Sequence, residues 1–492
     1  MTSCERSAPF LWVTVLILSA GPVHAQTRTV LHGVTLIDGR GGAPLSQARI
    51  IIEHGRFTCV SGPDGCPAVP TDRQVDLTGR WMTPGLIDTH VHLPFGLAPD
   101  GLPRQQRLRF ALGITTVRDA DSRSVEVALA RRSALESADS TTPRLVVSAR
   151  VTPEYAERFG VPIGAPLVEQ LARMGVEAIK LKEPFGDTLW LEELRTAKRL
   201  GLPVYGHTWG GPPPIHFTRA AVLEGVSGIT HLMGIALEIQ PAGVSLTPPD
   251  SATEAEIYAW GKTLWESVSP ARADSMLTIM LERGVWLEPT LATEFHWGRD
   301  IPLPAALDFL GEARRLGSYL PGRARAPGRA GPVVPAAWTP QAALVGNFIL
   351  RGGLVIAGSD GKLAGLALHE EMRLIGEAAG SPMAGLLAAT RNAAIALGRD
   401  DLGTIQPGKT ADAVIYSVDP LGASDATLEI LEVIKGGVPH QSDSLLAEFH
   451  AEYDLRVRAA WRGRVIRGLK VLLVVAVVGG LLLLAWRRLR RA

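Results

Sequence analysis

The sequence predicts an α/β protein built around a closed barrel, and three observations lead to that prediction. Eight short apolar strands alternate with helix-like stretches through residues 83–400, the pattern of parallel strands joined by helices. Short β-rich runs lie before this region, at 26–82, and after it, at 401–440, so we expect both flanks to form one composite β domain. A late uncharged run, 471–486, predicts a C-terminal transmembrane helix.

The individual elements of the barrel follow from apolar runs and from helical periodicity. The candidate strands are Leu86–His90, Thr115–Arg118, Leu145–Ala149, Ala178–Leu181, Val204–Gly206, Gly228–His231, Val285–Leu287 and Leu354–Ala357. The candidate helices are Val125–Ser137, Pro166–Met174, Leu191–Leu200, Ala271–Glu282 and Leu366–Ala379. Residues 300–340 are rich in Pro, Gly and Arg, which predicts a long loop or lid.

Length and charge limit the class of protein. With 492 residues, the chain is long enough for one barrel of about 250 residues and a smaller domain. Its 46% hydrophobic and 20% charged residues are typical of a folded globular protein. The formal net charge of +1 gives no reason to expect nucleic acid as a partner. The sequence leaves the oligomeric state open.

The N-terminal residues 1–25 are typical of a signal peptide. A polar start containing Arg6 precedes the apolar run Phe10–Ala20, and Val23-His24-Ala25 offers a small-residue cleavage site. An uncleaved membrane anchor is the alternative, although the apolar run is shorter than the ~20 residues that a spanning helix needs. The sequence therefore predicts export.

The C-terminal run 471–486 contains no charge and is flanked by Lys470 and Arg487. It is slightly short for a hydrocarbon core of ~30 Å, but Lys470 can snorkel and Trp486 suits the interface. A buried core helix is the alternative. We expect the basic juxtamembrane segment 441–470 to contact anionic membrane lipid and the basic tail 487–492 to be cytoplasmic. The predicted location is exported and membrane-anchored, with a periplasmic or otherwise extracytoplasmic catalytic domain.

Two cysteines remain after the predicted cleavage, Cys59 and Cys66. A Gly-Pro-Asp-Gly turn separates them and could bring their side chains together as a disulfide in an oxidising compartment. Two reduced cysteines are the alternative. A metal site is disfavoured because no second Cys or His pair lies nearby.

His90 and His92 are the first candidates for chemistry. They follow the first predicted barrel strand, and strand residues i and i+2 point the same way, so both imidazoles can face one metal. Barrel enzymes build their sites at this end of the strands. Taken alone, such a pair is more often two hydrogen-bonded core histidines than a metal site.

Three further candidates also end predicted strands: His207, His231 and Asp360. Each alone could be a core histidine or a helix N-cap, but their shared position predicts a metal site. Lys180 lies on another strand, and a bare ammonium beside divalent metals would be repelled. Carboxylation of its amine would resolve that conflict, whereas a surface lysine is the alternative, and Lys182 is the fallback for the same role.

The order H-x-H, Lys, His, His, Asp resembles the amidohydrolase superfamily. Two further stretches resemble the same superfamily. One leads into the histidine pair, Met82-Thr83-Pro84-Gly85-Leu86-Ile87-Asp88, and the other follows the barrel region, Gly403-Thr404-Ile405-Gln406-Pro407-Gly408-Lys409-Thr410-Ala411-Asp412-Ala413. Within the superfamily, the chain is similar to the branch of prolidase-like and imidazolonepropionase-like enzymes over about residues 28–440. The resemblance implies a (β/α)8 TIM barrel with a small composite β-sandwich from both flanks.

The resemblance also implies a ligand set and an activity. His90, His92 and Asp360 would hold the more buried metal, and the other two histidines a second metal, with a carboxylated Lys180 as the bridge. Zinc (Zn²⁺), as two ions, is the expected cofactor, with other divalent metals open. Asp360 would be the catalytic base. The implied metal ligands are His90, His92, Lys180, His207, His231 and Asp360.

The predicted reaction is hydrolysis of an amide-type C–N bond by a metal-activated hydroxide. The partner would be a small-molecule substrate such as a dipeptide, an N-acyl amino acid or a cyclic amide. Two alternatives remain: a mononuclear deaminase or cyclic-imide hydrolase with an uncarboxylated Lys180, and a membrane-anchored binding protein without activity.

Overall fold

The computed structural model places the core of the chain in one parallel sheet and one mixed sheet, with helices packed against them. The residues that it describes are 28–93, 101–122, 124–137, 139–181, 187–210, 215–244, 254–295, 340–360, 364–423, 426–451, 458 and 462.

Strands and helices alternate through the middle of the chain. The strands are β1 (Thr29–Leu36), β2 (Leu45–Glu53), β3 (Arg56–Ser61), β4 (Arg73–Asp76), β5 (Trp81–Pro84), β6 (Leu86–Val91), β7 (Ile114–Ser122), β8 (Arg144–Arg150), β9 (Ala178–Leu181), β10 (Val204–Gly206), β11 (Trp209–Gly210), β12 (Ile215–His216), β13 (Gly228–Thr230), β14 (Trp286–Glu288), β15 (Ala413–Tyr416), β16 (Ile430–Lys435) and β17 (Val438–Gln441). The helices are α1 (Gly101–Ala111), α2 (Val125–Glu136), α3 (Pro153–Phe159), α4 (Ala165–Met174), α5 (Asp187–Arg199), α6 (Thr218–Leu223), α7 (Met233–Glu238), α8 (Glu254–Glu266), α9 (Pro270–Glu282), α10 (Leu291–Phe295), α11 (Pro340–Leu350), α12 (Leu366–Ala379), α13 (Pro382–Ala388) and α14 (Arg391–Ala396), with a 3₁₀ turn at Ala426–Leu428.

Helices begin and end where the sequence supplies capping residues. Ser269 caps α9 through its side chain, which accepts a hydrogen bond from the backbone N–H of Arg272, and Pro270 occupies the first helical position. α4 ends at Gly175, whose φ of +91° a side chain would strain. Local sequence therefore sets where the chain returns to the sheet.

Within the described residues, the middle of the chain forms a seven-stranded parallel sheet in the order β14-β13-β10-β9-β8-β7-β6. The eighth predicted strand, Leu354–Ala357, forms an isolated bridge between Leu287 and Val355, and other backbone hydrogen bonds join Ala357 to Thr89 and to Ala388. The prediction of a closed eight-stranded barrel is therefore wrong. The segment bends after Ala357 because Asp360 has a φ of +40°, which ends extended pairing.

The parallel strands bury two different apolar faces. The outward face packs on the helices through residues that include Ile179, Val204, Ile229 and Leu287. The inward face carries Ala178, Tyr205 and Trp286, which form a cluster with Ile356 and with Ala396 of α14. Each fully buried large apolar side chain contributes about 1.5–3 kcal/mol. Further along the same inward face, toward the C-terminal strand ends, apolar side chains give way to Lys180 and Glu288.

The second sheet combines strands from both flanks of the chain. In the described part it has eight strands in the order β17-β16-β15-β5-β1-β2-β3, with β4 on β1. β5 and β15 join the flanks by antiparallel pairing, in which Met82 lies opposite Ile415. Cys59 and Cys66 form a disulfide with their Cα atoms 5.6 Å apart, and this links β3 to the following turn.

The C-terminal part of the prediction also requires correction. None of the described helices is long and apolar enough to cross a membrane, which contradicts the predicted transmembrane helix and the membrane-anchored location. The segments 1–25, 471–486 and 487–492 themselves lie outside the described residues, as does most of the predicted lid at 300–340.

The start of the predicted lipid-contacting segment 441–470 packs on the protein. Residues 442–451 are helical, and Leu446 and Phe449 join a buried cluster with Leu112 near the end of α1. Glu448 accepts two hydrogen bonds, of 2.7 and 3.1 Å, from the Arg107 guanidinium. Burial of its apolar residues explains why this stretch lies against α1.

Candidate metal centre

The six predicted metal ligands converge at the C-terminal ends of the parallel strands. Asp360 lies at the centre, with its Oδ1 3.1 Å from His92 Nε2 and 3.8 Å from His90 Nε2. Its Oδ2 is 3.8 Å from His231 Nε2. Single ligand atoms of His90, His92 and Asp360 all lie within 4.8 Å of one another, close enough to share one metal ion.

The remaining two predicted residues border this group. The ring centroids of His207 and His231 are 4.6 Å apart, and Lys180 Nζ lies 3.3 Å from His90 Nε2. Gly206 allows this position of His207, because a Cβ added at Gly206 would lie 1.7 Å from the Leu181 carbonyl oxygen. The fallback residue Lys182 lies outside the described residues.

A buried carboxylate, Glu288, fixes the orientation of His90. The Nδ1 of His90 donates to Glu288 Oε2 at 2.8 Å, and both side chains are fully buried. With Nδ1 carrying the proton, the lone pair of Nε2 faces Asp360 and Lys180. A carboxylate behind a metal-binding histidine commonly sets the tautomer and ring orientation in this way.

Glu288 is held in turn by three other side chains. Its Oε1 accepts hydrogen bonds from the Thr89 hydroxyl at 2.5 Å and the Arg118 guanidinium at 2.6 Å. Its Oε2 accepts one from the Thr230 hydroxyl at 2.9 Å. Both oxygens are thus paired, as a buried anion requires.

Arg118 is the buried counter-charge of this network. Its Nε donates to the Thr89 carbonyl at 2.7 Å, and its guanidinium carbon lies 3.8 Å from the centroid of the Tyr205 ring. Neither Glu288 nor Arg118 was predicted to take part. For Glu288, its place in the sequence could have indicated this role. It directly follows the predicted strand Val285–Leu287 and so lies at the same sheet edge as the metal ligands.

The backbone at the centre is strained. His231, Thr290 and Asp360 have φ values of +65°, +51° and +40°. His231 directly follows β13, Thr290 comes shortly after β14, and Asp360 comes shortly after the predicted strand Leu354–Ala357. Thr290 Oγ1 lies 2.7 Å from His231 Nδ1 and so fixes that ring as Glu288 fixes His90. Residues held at positive φ are typical of functional sites, where the surrounding structure supports the strain.

The carboxylate of Asp88 supports the turn that carries Asp360. It accepts hydrogen bonds from the Ser359 N–H at 2.9 Å and the Ser359 hydroxyl at 2.7 Å. Burial raises the pKa of Asp88 to about 6, although these bonds act against the increase. The buried Asp88 side chain therefore holds this turn in place through its hydrogen bonds to Ser359.

The pKa shifts at the centre favour the protonation states that bind metal. Burial lowers the pKa of His231 to about 4 and holds that of His90 well below its ordinary value. Burial acts to raise the pKa of Asp360, but the neighbouring histidines outweigh it and the pKa lies below its usual range. Burial also lowers the pKa of Lys180. Neutral imidazoles beside an ionised carboxylate are the forms that ligate a cation.

The donor set therefore fits a divalent metal. Imidazole nitrogens and a carboxylate oxygen are ligands that suit zinc and related ions. The Nδ1 atoms of His90 and His231 are already hydrogen-bonded, which leaves their Nε2 atoms for a metal. The site is also accessible, because the His92 side chain is 47% exposed.

Comparison with known proteins gives one family. A family model described as the amidohydrolase family matches residues 81–440. An imidazolonepropionase of Pseudomonas entomophila (strain L48) is 33% identical over 177 residues, which are 35% of this chain and 38% of the relative. The chain thus matches less than two fifths of the length of that curated relative.

Solved structures share the fold at low identity. Molinate hydrolase is 18% identical with a TM-score of 0.59, over 85% of this chain and 96% of that one. A Xaa-Pro dipeptidase with methionine bound in its active site is 20% identical with a TM-score of 0.56, over 84% of this chain and 100% of that one. At these identities the likeness shows the fold alone.

Proposed function

Because the chain belongs to the amidohydrolase family, we propose that it is a metal-dependent hydrolase that cleaves an amide-type C–N bond. The observation that carries this proposal is the group formed by His90, His92 and Asp360, whose ligand atoms lie within 4.8 Å of one another. That group lies at the C-terminal strand ends, where enzymes of this architecture place their chemistry.

The proposed metal content is two zinc ions. His90, His92 and Asp360 would hold the more buried ion, and His207 with His231 the second. Lys180, carboxylated on Nζ, would supply an anionic bridge between them. The burial of Lys180 among the other proposed ligands supports this role, since an anion there would offset the charge of two cations.

The chemistry follows from these positions. When bound, a divalent metal lowers the pKa of water and polarises a carbonyl oxygen. Asp360 is placed to accept a proton from the attacking water, because its carboxylate is ionised and lies between His92 and His231. Asp360 then returns that proton to the leaving nitrogen as the C–N bond breaks. Glu288 keeps His90 oriented throughout.

The proposed substrate class is a small amide: a dipeptide, an N-acyl amino acid or a cyclic amide. The names of the relatives, imidazolonepropionase and Xaa-Pro dipeptidase, support this range. A second candidate is a cyclic-imide hydrolase or deaminase with one metal and an uncarboxylated Lys180. The 3.3 Å distance from its amine to His90 Nε2 favours that candidate, and the number of metals per chain distinguishes the two.

Zinc removal tests the proposed function. We expect the zinc-loaded protein to hydrolyse members of a library of dipeptides and N-acyl amino acids, because its proposed ligands are preorganised. Chelation should abolish turnover and added zinc should restore it, as measured by release of the free amine. Turnover that persists in protein shown to be free of metal would refute the proposal. A zinc-loaded protein that hydrolyses no dipeptide, N-acyl amino acid or cyclic amide would also refute it.

A further inference from the structure

Arg150 lies beside the metal centre but has no part in it. It ends β8, and its Cα is paired with that of Lys180 on the neighbouring strand. Along β8, Val147 and Ala149 pack outward against the helices. Because strand side chains alternate, Arg150 belongs to the inward face, at the level of Lys180.

Asp121, on the neighbouring strand β7, contacts Arg150. The Arg150 guanidinium contacts one Asp121 oxygen at 3.3 Å through a single nitrogen, Nη1. Arg150 is therefore flanked by Asp121 on β7 and by Lys180 on β9.

Most of the hydrogen-bonding capacity of Arg150 is unused by the part of the chain that the structure describes. A guanidinium presents five N–H donors in a planar fork, and the contact with Asp121 uses one side of it. The Arg150 side chain is 26% exposed and that of Asp121 12% exposed, so the fork is accessible without being a surface group. A planar fork of this kind matches a carboxylate.

We propose that Arg150 binds a carboxylate group of the substrate. The contact of Arg150 with Asp121 holds the guanidinium in place and so sets the distance of that carboxylate from the scissile bond. The inference rests on the proposed function and narrows its substrate class to amides that carry a free carboxylate. Arg150 is a specificity-determining residue in this account, and the metal ligands perform the chemistry.

The test compares a carboxylate substrate with its neutral analogue. For the zinc-loaded protein, we expect Arg150→Met to raise KM for an N-acetyl amino acid by about 10- to 100-fold, the effect of one lost charge-assisted contact. The corresponding N-acetyl amino-acid amide should change by less than about two-fold. Arg150→Lys, which keeps the charge but loses the fork, should lie between wild type and Arg150→Met.

A matched control is Arg132→Met. Arg132 is 33% exposed and contacts Glu177 at 3.2 Å, but it lies on α2, away from the centre. It should leave both KM values unchanged. Equal losses on the acid and the amide in Arg150→Met, with zinc content unchanged, would show a structural role and overturn the inference.

Failure of the proposed function gives a different result. If the zinc-loaded wild type hydrolyses no dipeptide, N-acyl amino acid or cyclic amide, the proposed function fails. Calorimetric binding of the same acid and amide then decides the inference. Tighter binding of the acid that is lost in Arg150→Met supports it, and equal binding of acid and amide contradicts it.

Discussion

Replacing Asp360 with asparagine is expected to lower kcat by about 10²- to 10⁴-fold, the usual contribution of a positioned acid or base. The amide cannot accept the proton of the attacking water, but it keeps the side-chain oxygen that lies 3.1 Å from His92 Nε2. Asparagine also tolerates the φ of +40° at this position, so the turn should remain intact. Most of the bound zinc should therefore be retained.

The measurement is kcat together with zinc per chain in the same preparation. Asp64→Asn is a suitable control, because Asp64 is exposed in the turn between the two disulfide cysteines. Undiminished kcat in a zinc-loaded Asp360→Asn variant would remove Asp360 from the mechanism. Loss of kcat in parallel with loss of zinc would restrict Asp360 to metal binding.

Glu288→Gln is expected to weaken zinc affinity by about 10- to 100-fold. Glutamine cannot accept on both sides as Glu288 does, so the Nδ1 of His90 loses its carboxylate partner. The change also leaves the Arg118 guanidinium buried without a counter-charge, which should lower the free energy of unfolding by about 3–5 kcal/mol. Chelator competition measures the first effect and urea denaturation the second.

Two further variants separate orientation of His90 from general stability. Glu371 is also fully buried, and its Oε2 accepts a hydrogen bond from the Ala292 N–H at 2.6 Å, whereas none of the hydrogen bonds among the described residues joins it to a proposed metal ligand. Glu371→Gln should leave zinc affinity unchanged. Adding Arg118→Met to Glu288→Gln should recover stability but not zinc affinity. If Glu288→Gln binds zinc as tightly as wild type, Glu288 does not position His90.

The sequence was sufficient for the family because its motifs are local. His90 and His92 with the preceding Met82–Asp88, and the closing stretch 403–413, indicated an amidohydrolase, and the family match over residues 81–440 confirms that resemblance. Strand alternation and the position of barrel sites also predicted which polar residues would meet, and the structure brings those six together.

Other features depend on packing that no local pattern records. Leu354–Ala357 is as apolar as the other strands, but the chain turns at Ser359 and Asp360 because Asp88 and the positive φ hold it there. Gly358 lies against His90, where a Cβ would approach to 2.6 Å, which further restricts this segment. The role of Glu288 depends on Arg118 from a distant strand, a contact between residues 170 positions apart. The predicted membrane span rested on an uncharged run, its basic flanks and Trp486, all of which are local features of the sequence.

The count of zinc ions per chain tests the central claim most directly. Elemental analysis of the dialysed, zinc-loaded protein should give two zinc ions per chain. Replacing both His90 and His92 with asparagine should reduce this to one or none, since the more buried ion loses two of its ligands. A wild-type chain that binds one zinc ion or none, or a zinc content that is unchanged when both histidines are replaced, would contradict the account.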